Sequence, residues 1–183
     1  MEDIRIIELY WQRDETAIEE SETKYGSYCG TIAGNILHSK EDTMECVNDT
    51  WFRAWNSMPP EKPGRLAVFF GRITRNLAID RYRKNKAQKY GGGQTAICLD
   101  ELSECIGEER PVEDKIVLRD SLNTFLSSLS EKNRNIFLLR YWYMFSVNKI
   151  SEQYSMSEGA VKMTLQRIRK KLREYLEREG VGI

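Results

Sequence analysis

The residues best suited to chemistry in this sequence are cations gathered in two short stretches. Residues 72–89 hold seven Lys and Arg side chains against one acid, and residues 162–173 hold six against none. Each stretch follows an acidic one, because residues 1–50 hold 12 acids against 4 bases and residues 94–114 hold seven acids against one base. Cations at this density are suited to binding polyanions. The pattern predicts two contacts with nucleic acid, the alternative being two solvated helix faces.

The same inventory argues against an enzyme. The chain of 183 residues has one histidine, and its four cysteines form no CxxC pair. It also lacks a glycine-rich phosphate loop and a nucleophile paired with a base. Asp42 and Glu45 could bind a metal in principle, but a partner-binding or solvated helix face explains them better. We therefore expect no catalytic residue, no metal, no cofactor, and thiols that serve as small buried side chains.

Hydropathy argues against a membrane protein. No apolar run approaches the roughly 20 residues of a spanning helix. The first residues, MEDIRIIELYW, lack the basic segment and apolar core of a signal peptide. We expect a cytoplasmic protein with no membrane insertion.

The elements that must position these side chains are helices. Apolar residues recur every three or four positions in three early segments. The second segment begins at Ser39, which can cap it with Asp42 three positions later. The prolines within residues 57–64 interrupt this helix before another resumes. The three apolar stripes consist of Tyr28, Ile32 and Ile36; of Met44, Val47, Trp51, Ala54 and Trp55; and of Leu66, Phe69, Phe70, Ile73 and Leu77.

Composition divides the chain into two parts. A GGGQ run and the acidic residues after it are typical of a linker, although Leu99, Leu102 and Ile106 could form a short amphipathic helix within it. Further helices follow, one of them capped by Ser130. The sequence therefore predicts an all-α fold, made of two small helical domains (residues 1–88 and 112–180) joined by a flexible acidic linker (residues 89–111).

A helix-turn-helix is predicted in the second domain. Residues 146–154 form a short helix, the next three a turn, and residues 158–177 a second helix that Ser157 can cap. Apolar residues on this second helix are spaced four, three, four and three apart, and its opposite side is basic. The alternative is a helical hairpin with a solvated basic face. In a major groove, three side chains of the second helix could bond to base edges: Lys162, Gln166 and Arg167.

Three sequence blocks carry a resemblance to a known family. They are EDTMECVNDTWFRAW (residues 41–55), FFGRITRNLAIDRYRK (residues 69–84), and LSEKNRNIFLLRYW (residues 129–142) followed by the helix-turn-helix. In this order they resemble a sigma factor of the extracytoplasmic-function (ECF) group in the bacterial sigma-70 family. The first block is similar to the helix that binds RNA polymerase, the second to the helix that melts and reads the −10 promoter element, and the third to the domain that reads the −35 element.

The resemblance implies a function and a set of partners. It implies a protein that binds core RNA polymerase and directs promoter-specific initiation without being an enzyme. The implied contacts are the clamp coiled coil of the largest subunit, the beta subunit, and promoter DNA as duplex and as melted strand, with an anti-sigma factor as a further candidate partner. The alternative is a stand-alone helix-turn-helix transcriptional regulator, which leaves the basic stretch at residues 72–89 without a role.

The resemblance also implies roles for particular residues. Family members usually have Gln-Glu where this chain has Asn48-Asp49, so the polymerase contact should persist with altered geometry. A flipped base would be held at the proline-rich loop of residues 57–65, and Phe69, which replaces a frequent Trp, is expected to be structural. The implied sites are Glu45, Asn48, Asp49 and Phe52 for core polymerase; Arg72, Arg75, Asn76, Arg81 and Arg83 for −10 DNA; and Ser157, Lys162, Met163, Gln166, Arg167, Arg169 and Lys170 for −35 DNA.

Overall fold

The computed structural model describes residues 1–86, 94–106 and 112–180, and the regular elements in these ranges are α-helices. They are α1 (Asp3–Gln12), α2 (Thr16–Leu37), α3 (Lys40–Ser57), α4 (Leu66–Lys86), α5 (Gln94–Ile106), α6 (Val112–Ser128), α7 (Glu131–Tyr141), α8 (Val147–Tyr154) and α9 (Glu158–Arg178). The predicted all-α fold class is confirmed for this part of the chain.

Two compact units divide the chain between Gly91 and Gly92. Helix α5 lies within the stretch predicted as a linker, yet it packs against α7 and α9 of the second unit. It does so because Thr95, Ala96 and Cys98 are buried, whereas the leucines that suggested an amphipathic helix are only half-buried. The second unit therefore begins before residue 112. The rest of the predicted linker, residues 89–93 and 107–111, lies outside the described residues.

An aromatic cluster centred on Phe70 forms the core of the first unit. The ring centroid of Phe70 lies 5.1 Å from that of Trp51, edge-on, and 5.3 Å from that of Tyr25. Tyr10 of α1 lies 6.4 Å from Phe70 and shares a 3.0 Å hydrogen bond with Ser21 of α2. These aromatic residues are buried, so one apolar cluster joins all four helices of the unit.

Serines cap four of the described helices. Ser39 accepts a hydrogen bond from the amide of Asp42 at 3.2 Å. Ser130 and Ser157 likewise accept from the third residue after them, at 3.4 and 3.1 Å. Each bond satisfies an amide that has no partner within its own helix. The caps predicted at these three positions are confirmed, and Ser146 adds a fourth at the start of α8.

Helix α3 buries Val47, Trp51 and Ala54 of its predicted apolar stripe, but its buried side is rotated relative to that stripe. Met44, expected in the buried stripe, is 60% exposed, whereas Cys46 is buried. Thr50 is buried as well, and its hydroxyl lies 3.0 Å from that of Thr74 on α4. Because two small polar residues fill the contact with α4, the buried side of α3 is rotated away from Met44. Met44 therefore joins the solvent-facing side.

The second unit is built around α9. Its buried residues are spaced four, three, four and four apart, so the last of them is Leu176 and not Tyr175, which the sequence pattern indicated. Helix α8 packs against α9 through the fully buried Ile150. Between the two helices Ser155 adopts a left-handed conformation with φ of 50°, which ends α8 sharply. The predicted helix-turn-helix is therefore present as α8, a three-residue turn and α9.

We predict that Gly71→Ala destabilises the first unit. A Cβ atom at residue 71 would lie 2.5 Å from the hydroxyl oxygen of Tyr28 on α2, and such overpacking typically costs about 1–3 kcal/mol. Gly30→Ala is the matched control, because it also lies within a helix but a Cβ there would have no neighbour within 4 Å. Urea unfolding followed by tryptophan fluorescence should show a lower midpoint for Gly71→Ala and an equal or higher one for Gly30→Ala.

Candidate nucleic-acid and protein interfaces

The outer face of α4 carries cations and one amide. At about 100° per residue, Arg72, Asn76 and Arg83 fall within roughly 40° of one another around the helix, and all three are exposed. Arg75 is half-buried beside them. This arrangement can neutralise phosphates and offers Asn76 as both donor and acceptor toward a base. Four of the five residues implied for −10 DNA thus lie on or beside one face.

The proline-rich loop, residues 58–65, is attached to α1. The indole N–H of Trp11 donates to the carbonyl of Glu61 at 3.3 Å. Arg13 donates to the carbonyl of Trp55, in the last turn of α3 before the loop, at 2.6 Å and lies 5.3 Å from the centroid of the Trp55 ring. On the other side, Arg72 of α4 lies 3.7 Å from the Glu61 carboxylate. The loop is therefore held between α1 and the outer face of α4.

Phe69 belongs to the core and not to the outer face of α4. It is 5% exposed, and its ring centroid lies 5.7 Å from that of Phe70. The expectation that this residue is structural agrees with its burial. The guanidinium of Arg72 lies 5.9 Å from the Phe69 ring, so the ring supports a cation of the outer face from below.

The outer face of α3 combines acids with exposed apolar side chains. Phe52 is 68% exposed and Met44 is 60% exposed. Beside them lie Asn48, which is exposed, and the carboxylates of Glu45 and Asp49, whose side chains are 65% and 48% exposed. Large apolar side chains rimmed by charge are typical of a protein-binding surface. The four residues implied for polymerase are therefore brought together on one helix face.

Arg81 lies among these acids and not with the other cations of α4. Its guanidinium is 2.7 Å from Glu45, 3.2 Å from Asp49 and 3.8 Å from Asp42, and its side chain is 21% exposed. The hydrogen bond and charge of Arg81 lower the pKa of the Glu45 carboxyl. At 100° per residue, Arg81 is about 180° around α4 from Arg72. The structure thus separates Arg81 from the residues with which the sequence grouped it.

In the second unit, the outer face of α9 is exposed and basic. Ser157 is exposed and caps the helix through its hydroxyl. The side chain of Lys170 is 78% exposed, and Met163 is 48% exposed. Six of the seven residues implied for −35 DNA are exposed on this helix or at its cap: Ser157, Lys162, Met163, Gln166, Arg167 and Lys170.

Arg169, the seventh, is turned toward the interior of its unit. It lies 3.3 Å from the carboxylate of Glu101 on α5 and donates to the hydroxyl of Tyr141 at 2.6 Å. Glu101 also accepts from Tyr141 at 2.9 Å and lies 3.5 Å from Arg140, which is only 3% exposed. Burial raises the pKa of Tyr141, so its hydroxyl keeps its proton and can donate to Glu101. Arg169 therefore supports the unit and is 20% exposed.

The described cysteines and acids do not form a metal site. Within the described ranges, no group of three or more His, Cys, Asp or Glu side chains is arranged to hold a metal ion. Cys29, Cys46 and Cys98 are buried and are not joined in disulfides. Burial raises the pKa of the Cys29 thiol to about 11 and that of Cys46 to about 12. These two thiols are therefore protonated near neutral pH. None of the described helices is long and apolar enough to cross a bilayer.

We predict that Glu101→Gln destabilises the second unit. The change leaves the buried Arg140 without its carboxylate partner. Because Glu101 is itself 27% exposed, we expect a cost of about 1–3 kcal/mol. Asp100→Asn is the control, because Asp100 is the exposed neighbour on the same helix, and it should change the free energy of unfolding by less than about 0.5 kcal/mol. Chemical unfolding of both variants would test this, and equal stabilities would contradict it.

Comparison with known proteins gives two family matches and two similar proteins. The model of sigma-70 region 2 matches residues 24–88, and that of sigma-70 region 4 matches residues 119–172. The chain is 29% identical over 154 residues to the ECF RNA polymerase sigma factor SigW of Bacillus subtilis (strain 168), which covers 81% of this chain and 80% of that protein. It is 36% identical over 140 residues to the RNA polymerase sigma-E factor of Streptomyces antibioticus. That alignment covers 75% of this chain and 70% of the Streptomyces protein.

Proposed function

We propose that this chain, which belongs to the ECF group of the sigma-70 family, binds core RNA polymerase through α3 and promoter DNA through α4 and α9. As a sigma factor it acts in transcription initiation. A stand-alone regulator would need only the helix-turn-helix, whereas the family matches extend over both units. The observation that carries the proposal is that one folded unit presents an acidic, apolar face on α3 and a cationic face on α4.

The polymerase contact is assigned to the outer face of α3. Phe52 supplies exposed apolar area whose burial against a partner favours binding. Aromatic side chains of this kind are frequent hot spots of protein interfaces. Glu45 and Asp49 supply negative charge, and Asn48 can donate and accept. These groups fit a partner with an apolar pocket between cations, and the family resemblance supports the clamp coiled coil of the largest subunit as that partner. The same resemblance supports a further contact with the beta subunit.

The −10 contact is assigned to the outer face of α4 together with the proline-rich loop. A melted strand needs cations along its backbone and a surface for its unstacked bases. Arg72 and Arg83 supply the cations, with Arg75 beside them, and Asn76 can donate to and accept from a base. The loop at residues 58–65 lies next to Arg72 through Glu61, which supports it as the place where a base is held.

The −35 contact is assigned to the outer face of α9. Lys162, Gln166 and Arg167 lie in the amino-terminal half of the helix, which is the half that a helix-turn-helix inserts into the major groove. Lys170 lies further along and is suited to a phosphate. The guanidinium of Arg169 contacts Glu101 and Tyr141. We therefore assign Arg169 to the packing of α9 within its unit and not to DNA binding.

Joining two weak DNA contacts to one large enzyme explains how a small protein can select promoters. Once both units are bound to polymerase, the second DNA contact is intramolecular and gains from a high effective concentration. The acidic face of α3 should also disfavour binding of DNA by the free protein. We therefore expect weak binding to promoter duplex alone and strong, salt-sensitive binding with polymerase. The chain would act without catalysis of its own, in the cytoplasm, with an anti-sigma factor as a candidate partner.

Run-off transcription tests the proposal. Core polymerase on genomic DNA fragments should start at new, defined positions only when this protein is added. Phe52→Ala should lower the affinity for core polymerase by about tenfold or more, and the starts should weaken with it. Ile4→Ala removes an apolar side chain that is 69% exposed on α1 and should change neither the affinity nor the starts. Failure of the wild-type protein to bind core polymerase would overturn the proposed function.

Two substitutions on α9 should separate base reading from phosphate binding. Gln166→Ala should lose discrimination at one position of the −35 element, by about 1–3 kcal/mol. Lys170→Ala should instead weaken binding to all sequences alike and reduce the slope of log affinity against log salt by about 1. Holoenzyme binding to a set of promoters with single −35 changes, at several salt concentrations, measures both. The same profile for the two variants would contradict this division of roles.

A further inference from the structure

Arg81 joins the last third of α4 to the outer face of α3. One nitrogen of its guanidinium lies 2.7 Å from Glu45 and the other lies 3.2 Å from Asp49, so a single side chain bridges two carboxylates that are one helical turn apart. The first nitrogen also lies 3.5 Å from the backbone carbonyl of Asp42 and 3.8 Å from its carboxylate. A planar guanidinium is suited to such a bridge, whereas an ammonium group is a point charge.

The bridge leaves the two carboxylates available to another molecule. The side chain of Arg81 is 21% exposed, but those of Glu45 and Asp49 are 65% and 48% exposed. Each carboxylate can accept several hydrogen bonds, and one guanidinium neutralises only one of the three charges of Asp42, Glu45 and Asp49. The outer face of α3 therefore keeps a negative charge, in a geometry that Arg81 fixes.

We propose that Arg81 is a positioning residue of the polymerase-binding surface and does not bind DNA. The inference rests on the proposed function of α3. In the free protein Arg81 holds Glu45 and Asp49 in the arrangement in which they receive cationic groups of polymerase. Two flexible carboxylate side chains are thereby ordered before binding, and the entropy of ordering them does not have to be lost in the complex.

Simple electrostatics predicts the opposite effect of removing Arg81, which makes the inference testable. If only net charge mattered, Arg81 would repel the cations of polymerase. Removing its charge would then tighten polymerase binding. Loss of the bridge would instead leave Glu45 and Asp49 mobile and mutually repelling, and binding would weaken. A direct DNA contact predicts a third result, in which binding to polymerase is unchanged and binding to the −10 strand is weakened.

The experiment compares the full-length wild-type protein with Arg81→Gln, Arg81→Lys and Arg83→Gln. The affinity for core polymerase is measured by fluorescence anisotropy of the labelled protein. The affinity of each assembled holoenzyme for a single-stranded −10 oligonucleotide is measured separately. We expect Arg81→Gln to weaken polymerase binding about tenfold, as for two side chains that must be ordered on binding. Arg81→Lys keeps the positive charge but cannot bridge both carboxylates, so it should also weaken polymerase binding.

Arg83→Gln is the matched control, because Arg83 is the exposed arginine two positions further along α4. It should leave polymerase binding unchanged and weaken binding of the −10 oligonucleotide. Arg81→Gln should show the reverse, with oligonucleotide binding by the holoenzyme within twofold of wild type. Glu45→Gln combined with Arg81→Gln should weaken polymerase binding by less than the product of the two single effects.

A structural readout keeps the test valid if a variant is less stable. The carboxyl carbon of Glu45, followed by NMR through a pH titration, should titrate at a higher pH in Arg81→Gln than in the wild-type protein, with circular dichroism showing retained helix. Polymerase binding by Arg81→Gln that equals or exceeds that of wild type would overturn the inference alone. Absence of polymerase binding by the wild-type protein would overturn the proposed function.

Discussion

The contact between α3 and α4 determines which side chains both helices present to solvent. Cys46 and Thr50 of α3 face Thr74 of α4, where the two threonine hydroxyls lie 3.0 Å apart and the Cys46 thiol lies 3.6 Å from the Thr74 carbonyl. Once these small polar groups are buried, Phe52 and its acidic neighbours must point outward from α3, and Arg72 must point outward from α4. Two chemically opposite surfaces of one small unit thus follow from a single buried contact.

Charge pairing between distant parts of the sequence refines this division. In each unit, one arginine of a basic stretch forms ion pairs with acids of an earlier helix. Arg81 pairs with Glu45 and Asp49 of α3, and Arg169 pairs with Glu101 of α5. Each acidic stretch therefore supplies a carboxylate that pairs with one arginine of a basic stretch, and that arginine is less exposed as a result. In the second unit, the paired arginine also attaches α5 to α7 and α9.

Much of this architecture could be predicted from local sequence. Serine caps, the proline interruption and the helix-turn-helix depend on residues within one turn of each other, and the structure bears them out at Ser39, Ser130 and Ser157. The faces of α3 and α9 also followed from helical spacing. The exposure of Met44, the burial of Thr95, Ala96 and Cys98 in α5, and the pairing of Arg81 and Arg169 could not be predicted in this way. Each depends on a neighbour more than 25 residues away, or on a packing partner that spacing alone does not identify.

Helix α1 lies before the first residue of the region 2 match, which begins at residue 24. Yet Trp11 donates to Glu61 of the loop between α3 and α4, and Arg13 donates to Trp55 in the last turn of α3. Tyr10 fills the core beside Phe70. A fragment trimmed to the limits of family similarity would thus lose the contacts that α1 makes with this loop and with the core. In this chain the region matched to the family and the folded unit therefore begin at different residues.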